Sequence, residues 1–434
     1  MEILLTAGYT ALFIFLIHRW KFFRLEIIPL SWVKMLFLLK VIAGSALGLV
    51  YTYYYTDRGT ADTFKFFDDS TVLFNSLFHS PKQFFEIFFG VNNGSKECFD
   101  ICANMNAWNN QDVLFNDNKT LVRLNVLFHF FSAGKYYVHV VFLNFFSFTG
   151  LIALFRLFQK FVREKSKLMF LIMMFMPSVL FWGSGLLKDG LLLFALGLLL
   201  YCFNNLLTSK YSFKSVIAFA LCLLLLMFTK LYVLFIIIPG LIAWYWSRSN
   251  SGRMVAAKFV ACYFIYLLFG FNIDLISEKY DAVDLIYYKQ QNFHVLAEIT
   301  KAKSVINVPA IQPTASSLLL HAPAAIATVF IHPTPGDAGN PFVMMAALEN
   351  IFILIMAFIC LLFSGRKKLQ AIQLICFSTF FVICMYALIG LITPILGAMV
   401  RYKVPALPFL FFILAAFIDE GKLKSKFPVI RKLL

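Results

Sequence analysis

Two cations stand two residues apart in the segment RYKVPALPFL, at Arg401 and Lys403, directly before the last apolar run of the chain. Arginine presents a planar fork of donors and lysine a compact point charge, so the pair suits a phosphate or a pyrophosphate. The alternative is an anchor whose long side chains reach outward to lipid headgroups. We predict an anion-binding site at Arg401 and Lys403 and keep the anchor as the other interpretation.

Acidic residues follow the second apolar run, in the segment TDRGTADTFKFFDDS. A carboxylate at the rim of a cavity can act as a general base towards a hydroxyl group. We therefore name Asp57 and Asp62 as candidate catalytic bases, and a solvated acidic loop is the other interpretation for each. Asp68 and Asp69 are expected to be solvated. Among the histidines, His332 in IHPTPGD is the best candidate for substrate binding, because proline and glycine constrain its surroundings.

A lysine and an aspartate interrupt a long apolar stretch, at Lys188 and Asp189 in PSVLFWGSGLLKDGLLLFALGLLLY. Ionisable groups at membrane depth are costly and usually face a polar cavity. The two residues are predicted either to bind a charged group or to tie a helical hairpin together as an ion pair. No metal-binding spacing, glycine-rich phosphate loop or serine nucleophile motif is present, so no metal and no cofactor is predicted.

The composition identifies the class of protein that carries these residues. Of 434 residues, 61% are apolar and only 14% are charged, whereas a soluble protein has about 25% charged residues. The formal net charge of +16 could suggest nucleic acid as a partner. However, most lysines and arginines fall in alternate loops, as the positive-inside rule requires, so the charge indicates topology and no nucleic-acid partner is expected.

The apolar runs predict an all-α, multi-pass protein of the cytoplasmic (inner) membrane, with residues 1–434 forming a single integral membrane domain. Alternating basic loops place the N-terminus outside and the C-terminus inside, with about eleven transmembrane helices. Two long outer loops, residues 56–136 and 272–341, are expected to carry interfacial helices. The predicted spans are residues 3–17, 35–55, 137–155, 168–182, 190–203, 215–228, 231–246, 259–271, 342–363, 372–392 and 406–417.

The order of these elements resembles the start of the GT-C class of membrane glycosyltransferases. In that class an outward span leads to an acid-bearing outer loop with two surface helices and then a returning span, as Met35 to Phe155 are predicted to do here. The segment KDGLLLFALGLLLY resembles the charged or acidic turn followed by an apolar span in that class. The segments HPTPGDAGNPFVMMAALENI and GAMVRYKVPALPFL resemble parts of bacterial enzymes that handle polyprenyl-lipid-linked glycans, including O-antigen-polymerase-like proteins.

The resemblance implies an outward-facing site, a lipid-phosphate donor and an acidic residue near the first outer loop. Asp57 or Asp62 would be the base, and Arg401, Lys403 and Lys188 would hold the lipid phosphate. The expected function is a glycosyltransferase or polysaccharide polymerase of cell-envelope glycan synthesis, with membrane lipid and a polyprenyl-phosphate-linked glycan as partners.

Two other functions remain open. A transporter or flippase for a lipid-linked or anionic solute would need charges deep within its spans. The spans look nearly free of charge at mid-depth, which favours an enzyme. A non-catalytic membrane scaffold is the third possibility.

Overall fold

A computed structural model describes residues 1–91, 94–106, 117–208, 212–250, 252–275, 281–302, 304–365 and 372–426. Within these ranges the protein is all-helical, and its only extended pairings are isolated bridges between Val305 and Ile395 and between Ser364 and Ile418. The all-α prediction is therefore confirmed. The helices are α1 (Glu2–Arg19), α2 (Leu30–Tyr53), α3 (Asp62–His79), α4 (Pro81–Phe89), α5 (Lys96–Cys102), α6 (Asp117–Ser132), α7 (Tyr136–Gln159), α8 (Ser166–Phe175), α9 (Pro177–Trp182), α10 (Lys188–Thr208), α11 (Phe213–Thr229), α12 (Leu231–Ser247), α13 (Arg253–Phe271), α14 (Ala282–Ile299), α15 (Ala315–Ile331), α16 (Pro341–Leu362), α17 (Ile372–Ile392), α18 (Leu396–Lys403), α19 (Leu407–Phe417) and α20 (Glu420–Lys426).

Seven of these helices, α1, α2, α7, α10, α13, α16 and α17, are long and apolar enough to cross a membrane. The bent pair α18 and α19, whose axes differ by 60°, makes an eighth candidate. The chain therefore has the helices of a multi-pass membrane protein. The predicted fourth span is broken, because α8 ends before Met176 and Pro177 starts α9. The residue before a proline is driven out of the helical conformation, and Met176 is extended.

The described chain divides into two compact units. The first unit holds residues Met1–Leu157 and Val179–Leu231, and the second holds Phe158–Ser178 and Tyr232–Leu434. Each unit brings together stretches that are far apart in sequence, so each candidate site is described within its own unit.

Glycines let backbones approach closely in the first unit. A Cβ added at Gly197 in α10 would lie 2.0 Å from the carbonyl oxygen of Gly150 in α7. A Cβ added at Gly44 in α2 would lie 2.1 Å from the carbonyl oxygen of Ser184. Small residues at such crossings are typical of membrane helices, where close van der Waals packing drives association. The segment between α9 and α10 is thereby held against α2.

Helix α17 is the central element of the second unit and packs against α13, α14, α15, α18 and α19. Its buried side chains include Phe381 and Tyr386, which contact Phe409 and Phe330 respectively at centroid distances of 4.7 Å. Helix α14 is tied to the end of α17 because the buried Gln290 amide donates to the Leu391 carbonyl at 2.6 Å. This packing fixes the position of α18, which carries Arg401 and Lys403.

Candidate functional site

The predicted site residues belong to two different units. The first unit contains Asp57, Asp62, Lys188 and Asp189, and the second contains His332, Arg401 and Lys403. The convergence of both sets on one cavity therefore stays a prediction. Each set nevertheless has its own geometry within its unit.

In the first unit, two lysines meet at one carboxylate. The Nζ atom of Lys188 lies 2.7 Å from Oδ1 of Asp117, and Nζ of Lys230 lies 3.6 Å from Oδ2. The lysine side chains are 10% and 13% exposed, whereas that of Asp117 is 38% exposed. Lys188 also lies within electrostatic range of Asp62. We call Lys188, Lys230, Asp117 and Asp62 the charged cluster.

Helix ends position this cluster. Lys188 is the first residue of α10, Asp117 and Asp62 begin α6 and α3, and Lys230 separates α11 from α12. The Thr120 hydroxyl donates to the Phe228 carbonyl at 2.7 Å, which holds the start of α6 against the end of α11. The N-terminus of α10 carries a partial positive charge. The charged cluster consequently combines two lysines of low exposure with two more exposed carboxylates, next to the positive end of the α10 dipole.

The two candidate bases differ in their surroundings, although both are exposed. Asp57 accepts a hydrogen bond from the Gly59 N–H at 3.0 Å and so caps a short turn. Asp62 is exposed and lies within electrostatic range of Lys188, which favours it over Asp57 as the candidate base. The expectation that both Asp68 and Asp69 are solvated is wrong for Asp69, which is fully buried, whereas the Asp68 side chain is 33% exposed.

Asp68 and Asp69 both stabilise the fold of the first unit. Asp68 pairs with Arg58, whose Nε atom donates to Oδ2 at 2.9 Å. This hydrogen bond raises the pKa of the Arg58 guanidinium. Asp69 is fully buried and accepts the Asn106 N–H at 2.6 Å. The Asp69 carboxylate is therefore shielded from solvent.

The turn that leads to Lys188 and Asp189 is buried throughout, from Gly183 to Gly190. The Lys40 ammonium donates to the Gly183 carbonyl and to Ser184 Oγ, each at 2.9 Å. Asn144 and Ser147 of α7 donate to the Ser184 and Gly183 carbonyls at 2.8 and 2.6 Å. Asp189 is 2% exposed. These hydrogen bonds satisfy backbone groups that an irregular turn leaves open inside an apolar region.

Lys40 also corrects the expectation of charge-free spans. It is fully buried and lies ten residues after the start of α2 and thirteen before its end, close to the middle of the helix. Glu349 is similarly buried within α16, and both helices are among the candidate spans. Two candidate spans therefore each contain a buried ionisable residue, so a lack of such residues is no longer an argument against transport.

In the second unit, Lys403 forms the centre of a hydrogen-bond network. Its Nζ atom donates to the carbonyls of Val329 and His332 at 2.9 and 3.1 Å and to Asn350 Oδ1 at 3.1 Å. A lysine has three donors, and all three bind protein oxygens here. Lys403 therefore joins α15, α16 and α18 and has no donor left for a phosphate in this arrangement. Arg401, two residues earlier, is half-buried.

A loop that is closed by hydrogen bonds to Asp337 follows α15 and contains His332. Asp337 Oδ2 lies 2.6 Å from His332 Nδ1 and accepts the Thr334 N–H at 2.6 Å and its hydroxyl at 2.8 Å. Desolvation acts to raise the pKa of the Asp337 carboxyl, but these hydrogen bonds outweigh it and hold the pKa below its usual value. The structure thus brings His332 and Lys403 together, through the His332 carbonyl rather than its imidazole.

Glu349 lies at the edge of two spaces in the second unit. Its Oε2 atom accepts the Ser178 N–H at 2.6 Å. One space is a cavity of about 10 Å³ that Ser178, Asn350 and Lys403 also line, and it has room for about one water molecule. The other is an apolar groove of about 530 Å³ between α8 and α16. Among the described residues that line this groove, Glu349 is the only ionisable one.

Sequence reasoning missed Asp117, Lys40 and Glu349 as site residues. Glu349 in the apolar run of α16 and Lys40 in that of α2 could have been recognised from the sequence. Ionisable residues within such runs mark functional positions by default. Asp117 carried no such signal, since it stands in a polar segment with many similar residues. Only the packing of α6 against α11 and the position of Lys188 at the start of α10 bring it to the two lysines. Within the described residues, no group of three or more histidine, cysteine or acidic side chains could hold a metal ion.

A comparison of the chain with protein-family models found no match, and searches of curated proteins and of solved structures found no significant similarity. The resemblance to GT-C glycosyltransferases accordingly stays a prediction.

Proposed function

We propose that the protein is an inner-membrane glycosyltransferase or polysaccharide polymerase. It would use a polyprenyl-phosphate-linked sugar donor on the outer face of the cytoplasmic membrane, in cell-envelope glycan synthesis. The charged cluster carries this proposal, because it combines an exposed carboxylate with two lysines of low exposure on helix ends. Transfer of a sugar with a phosphate as the leaving group needs such a carboxylate and such positive charges.

In the proposed reaction the acceptor hydroxyl loses its proton to the Asp62 carboxylate. The acceptor oxygen then bonds to the anomeric carbon of the sugar, and the bond from that carbon to the phosphate oxygen breaks. Lys188 and Lys230 stabilise the charge that develops on the departing lipid phosphate, as fixed positive groups do in a site of low dielectric. Lys188 keeps its predicted phosphate role, and Lys230 takes the place of Lys403, whose donors bind protein oxygens.

Eleven crossings with the N-terminus outside remain part of the proposal. They comprise the seven long helices, the broken pair α8–α9, the bent pair α18–α19, and α11 and α12. Helices α11 and α12 have 17 residues each, which is at the lower limit for a helix that spans about 30 Å of hydrocarbon. This topology places Asp62, Lys188 and Lys230 at or below the outer surface.

The test is transfer of labelled sugar from a polyprenyl-phosphate-linked donor in membranes that contain the full chain. We expect Asp62→Asn to lower the rate at least about a hundredfold, the usual effect of losing a general base. Asp57→Asn is the matched control and should retain most of the activity. Equal rates for wild type and Asp62→Asn in an active preparation would contradict the assignment of the base. Absence of transfer by the wild-type protein with all polyprenyl-linked donors would contradict the function.

Transport is the second candidate, and the burial of Lys40 and Glu349 within span-length helices favours it. Ionisable groups at such positions often mark ion or proton pathways. Proteoliposomes loaded with a lipid-linked sugar distinguish the two candidates. Movement of the unchanged lipid across the bilayer would support transport, and formation of a new glycosidic bond would support transfer.

A further inference from the structure

The groove of the second unit is apolar except at one point. It is lined by Leu171, Phe175 and Pro177 on one side and by Met345, Leu348 and Phe352 of α16 on the other. Its volume of about 530 Å³ lies within the range of small-molecule sites. Met345, Leu348 and Phe352 are exposed, and α16 is a candidate span. An occupant of this groove would therefore enter from the hydrocarbon layer of the membrane.

The broken helix creates both the groove and its polar end. Because α8 stops before Pro177, the first N–H groups of α9 lack helical partners. Glu349 compensates for one of them by accepting the Ser178 N–H through Oε2. Within the described residues Ser178 is the hydrogen-bond partner of Glu349, through both its N–H and its side chain. A carboxylate has about four lone-pair sites, so Glu349 can still accept a hydrogen bond from a ligand. Glu349 is 7% exposed and lies eight residues into α16, about 12 Å along the helix.

The charges around Glu349 select an uncharged ligand. An anionic head in the groove would meet the Glu349 carboxylate in a region of low dielectric. A cationic head would meet Lys403, which acts electrostatically on Glu349 and lines the adjoining small cavity with it. A hydroxyl group carries no charge and can donate to a carboxylate or accept from a carboxylic acid. It therefore fits Glu349 in either protonation state.

We propose that this groove binds a long-chain alcohol, with the hydrocarbon chain between α8 and α16 and the hydroxyl group hydrogen-bonded to Glu349. The site would take any single-chain apolar alcohol, whether isoprenoid or straight-chain. It is unsuited to a lipid phosphate. The inference does not depend on the proposed transferase activity, because it concerns binding alone.

The test uses the full chain in lipid nanodiscs and a hexadecanol probe that carries a photoreactive diazirine on its chain. We expect the probe to label peptides of α8 and α16, and excess hexadecanol to reduce that labelling. Hexadecanoic acid and hexadecylamine should compete at least about tenfold less well, since burial of a charge costs more than burial of a hydroxyl. Equal competition by the acid or the amine would overturn the proposal, and this measurement needs no variant.

Four variants localise the site. Leu348→Trp fills the groove and should abolish labelling of α8, whereas Ile355→Trp changes an exposed residue of the same helix outside the groove and should leave it unchanged. Glu349→Gln retains an oxygen acceptor and should bind the alcohol within a few-fold of wild type. Glu349→Leu should weaken binding about tenfold, the effect of losing one hydrogen bond. Labelling of α8 that persists in Leu348→Trp would overturn the proposed position.

Discussion

Lys188 is the buried partner and Asp117 the exposed partner of an ion pair whose Nζ to Oδ1 distance is 2.7 Å. A lysine that is more shielded than its acid depends on that acid for compensation of its charge. Lys230 adds a second positive charge at 3.6 Å from the same carboxylate. One carboxylate thus serves two lysines of the charged cluster.

The strength of the Lys188–Asp117 pair can be measured with a double-mutant cycle of Lys188→Met and Asp117→Asn. We expect a coupling free energy of about 1 kcal/mol in unfolding, falling as salt is added, because Asp117 is partly exposed. Lys82 and Glu86, 3.9 Å apart with Lys82 81% exposed, form the control pair and should couple by less than about 0.5 kcal/mol. Equal coupling for both pairs would show that burial of Lys188 has no effect.

Close packing of α2 on the buried turn predicts that Gly44→Ala destabilises the protein by about 2 kcal/mol or more. The added Cβ would lie 2.1 Å from the Ser184 carbonyl oxygen, which is backbone and cannot rotate away. Gly8→Ala in α1 is the matched control, because a Cβ there has nothing within 4 Å. It should be neutral or stabilise by up to about 1 kcal/mol through helix propensity. Thermal unfolding of both variants in the same detergent gives the comparison.

Lys403→Met should destabilise the second unit by about 3 kcal/mol, because it leaves three buried oxygen acceptors without their donor. Hydrogen exchange of peptides from α15 and α18 would report the loss. Lys422→Met, at an exposed residue that donates to the Ser364 carbonyl, should change stability by less than about 0.5 kcal/mol. If Lys403→Met is as stable as wild type but loses activity, Lys403 acts on the substrate and not on the fold.

The pKa of Asp337 in the folded protein is lower than its usual value, so the carboxylate stabilises its loop at neutral pH. This contribution is complete above the pKa of the unfolded chain and is lost as the pH falls through the lower, folded pKa. We expect hydrogen exchange of residues 332–340 to accelerate as the pH falls below about 4, after correction for intrinsic rates. Asp337→Asn should show fast exchange at every pH. A wild-type loop with no change on acidification would contradict this role.

The proposed orientation predicts which residues an impermeant thiol reagent reaches from outside. In a background without the eight native cysteines, Lys82→Cys should react in intact right-side-out vesicles. Lys422→Cys, near the C-terminus, should react only after permeabilisation. Both positions are exposed, so access depends on the side of the membrane. The reverse pattern would invert the topology and exclude an outward-facing charged cluster.

Local signals were sufficient for much of the fold. Long apolar runs predicted helices because the backbone must satisfy its own hydrogen bonds in lipid, and the predicted span 372–392 coincides with α17. The break between α8 and α9 at Met176 is also encoded locally, by Pro177, although residues 168–182 were predicted to form one span. The predicted acid-bearing loop contains α3, whose face buries Asp69. Burial of that kind depends on partners far along the chain.

The sequence by itself determined that the chain is helical, apolar and suited to a membrane, and it singled out Lys188, His332 and Lys403 as unusual polar residues. Tertiary structure alone decided what those residues contact. Lys188 meets Asp117 across 71 positions of sequence, and Lys403 meets Asn350 across 53. The reason is physical: helix formation depends on neighbours within about four residues, whereas ion pairing and burial depend on which helices pack together. The roles of Asp117, Lys230 and Glu349 exist only in the packed chain.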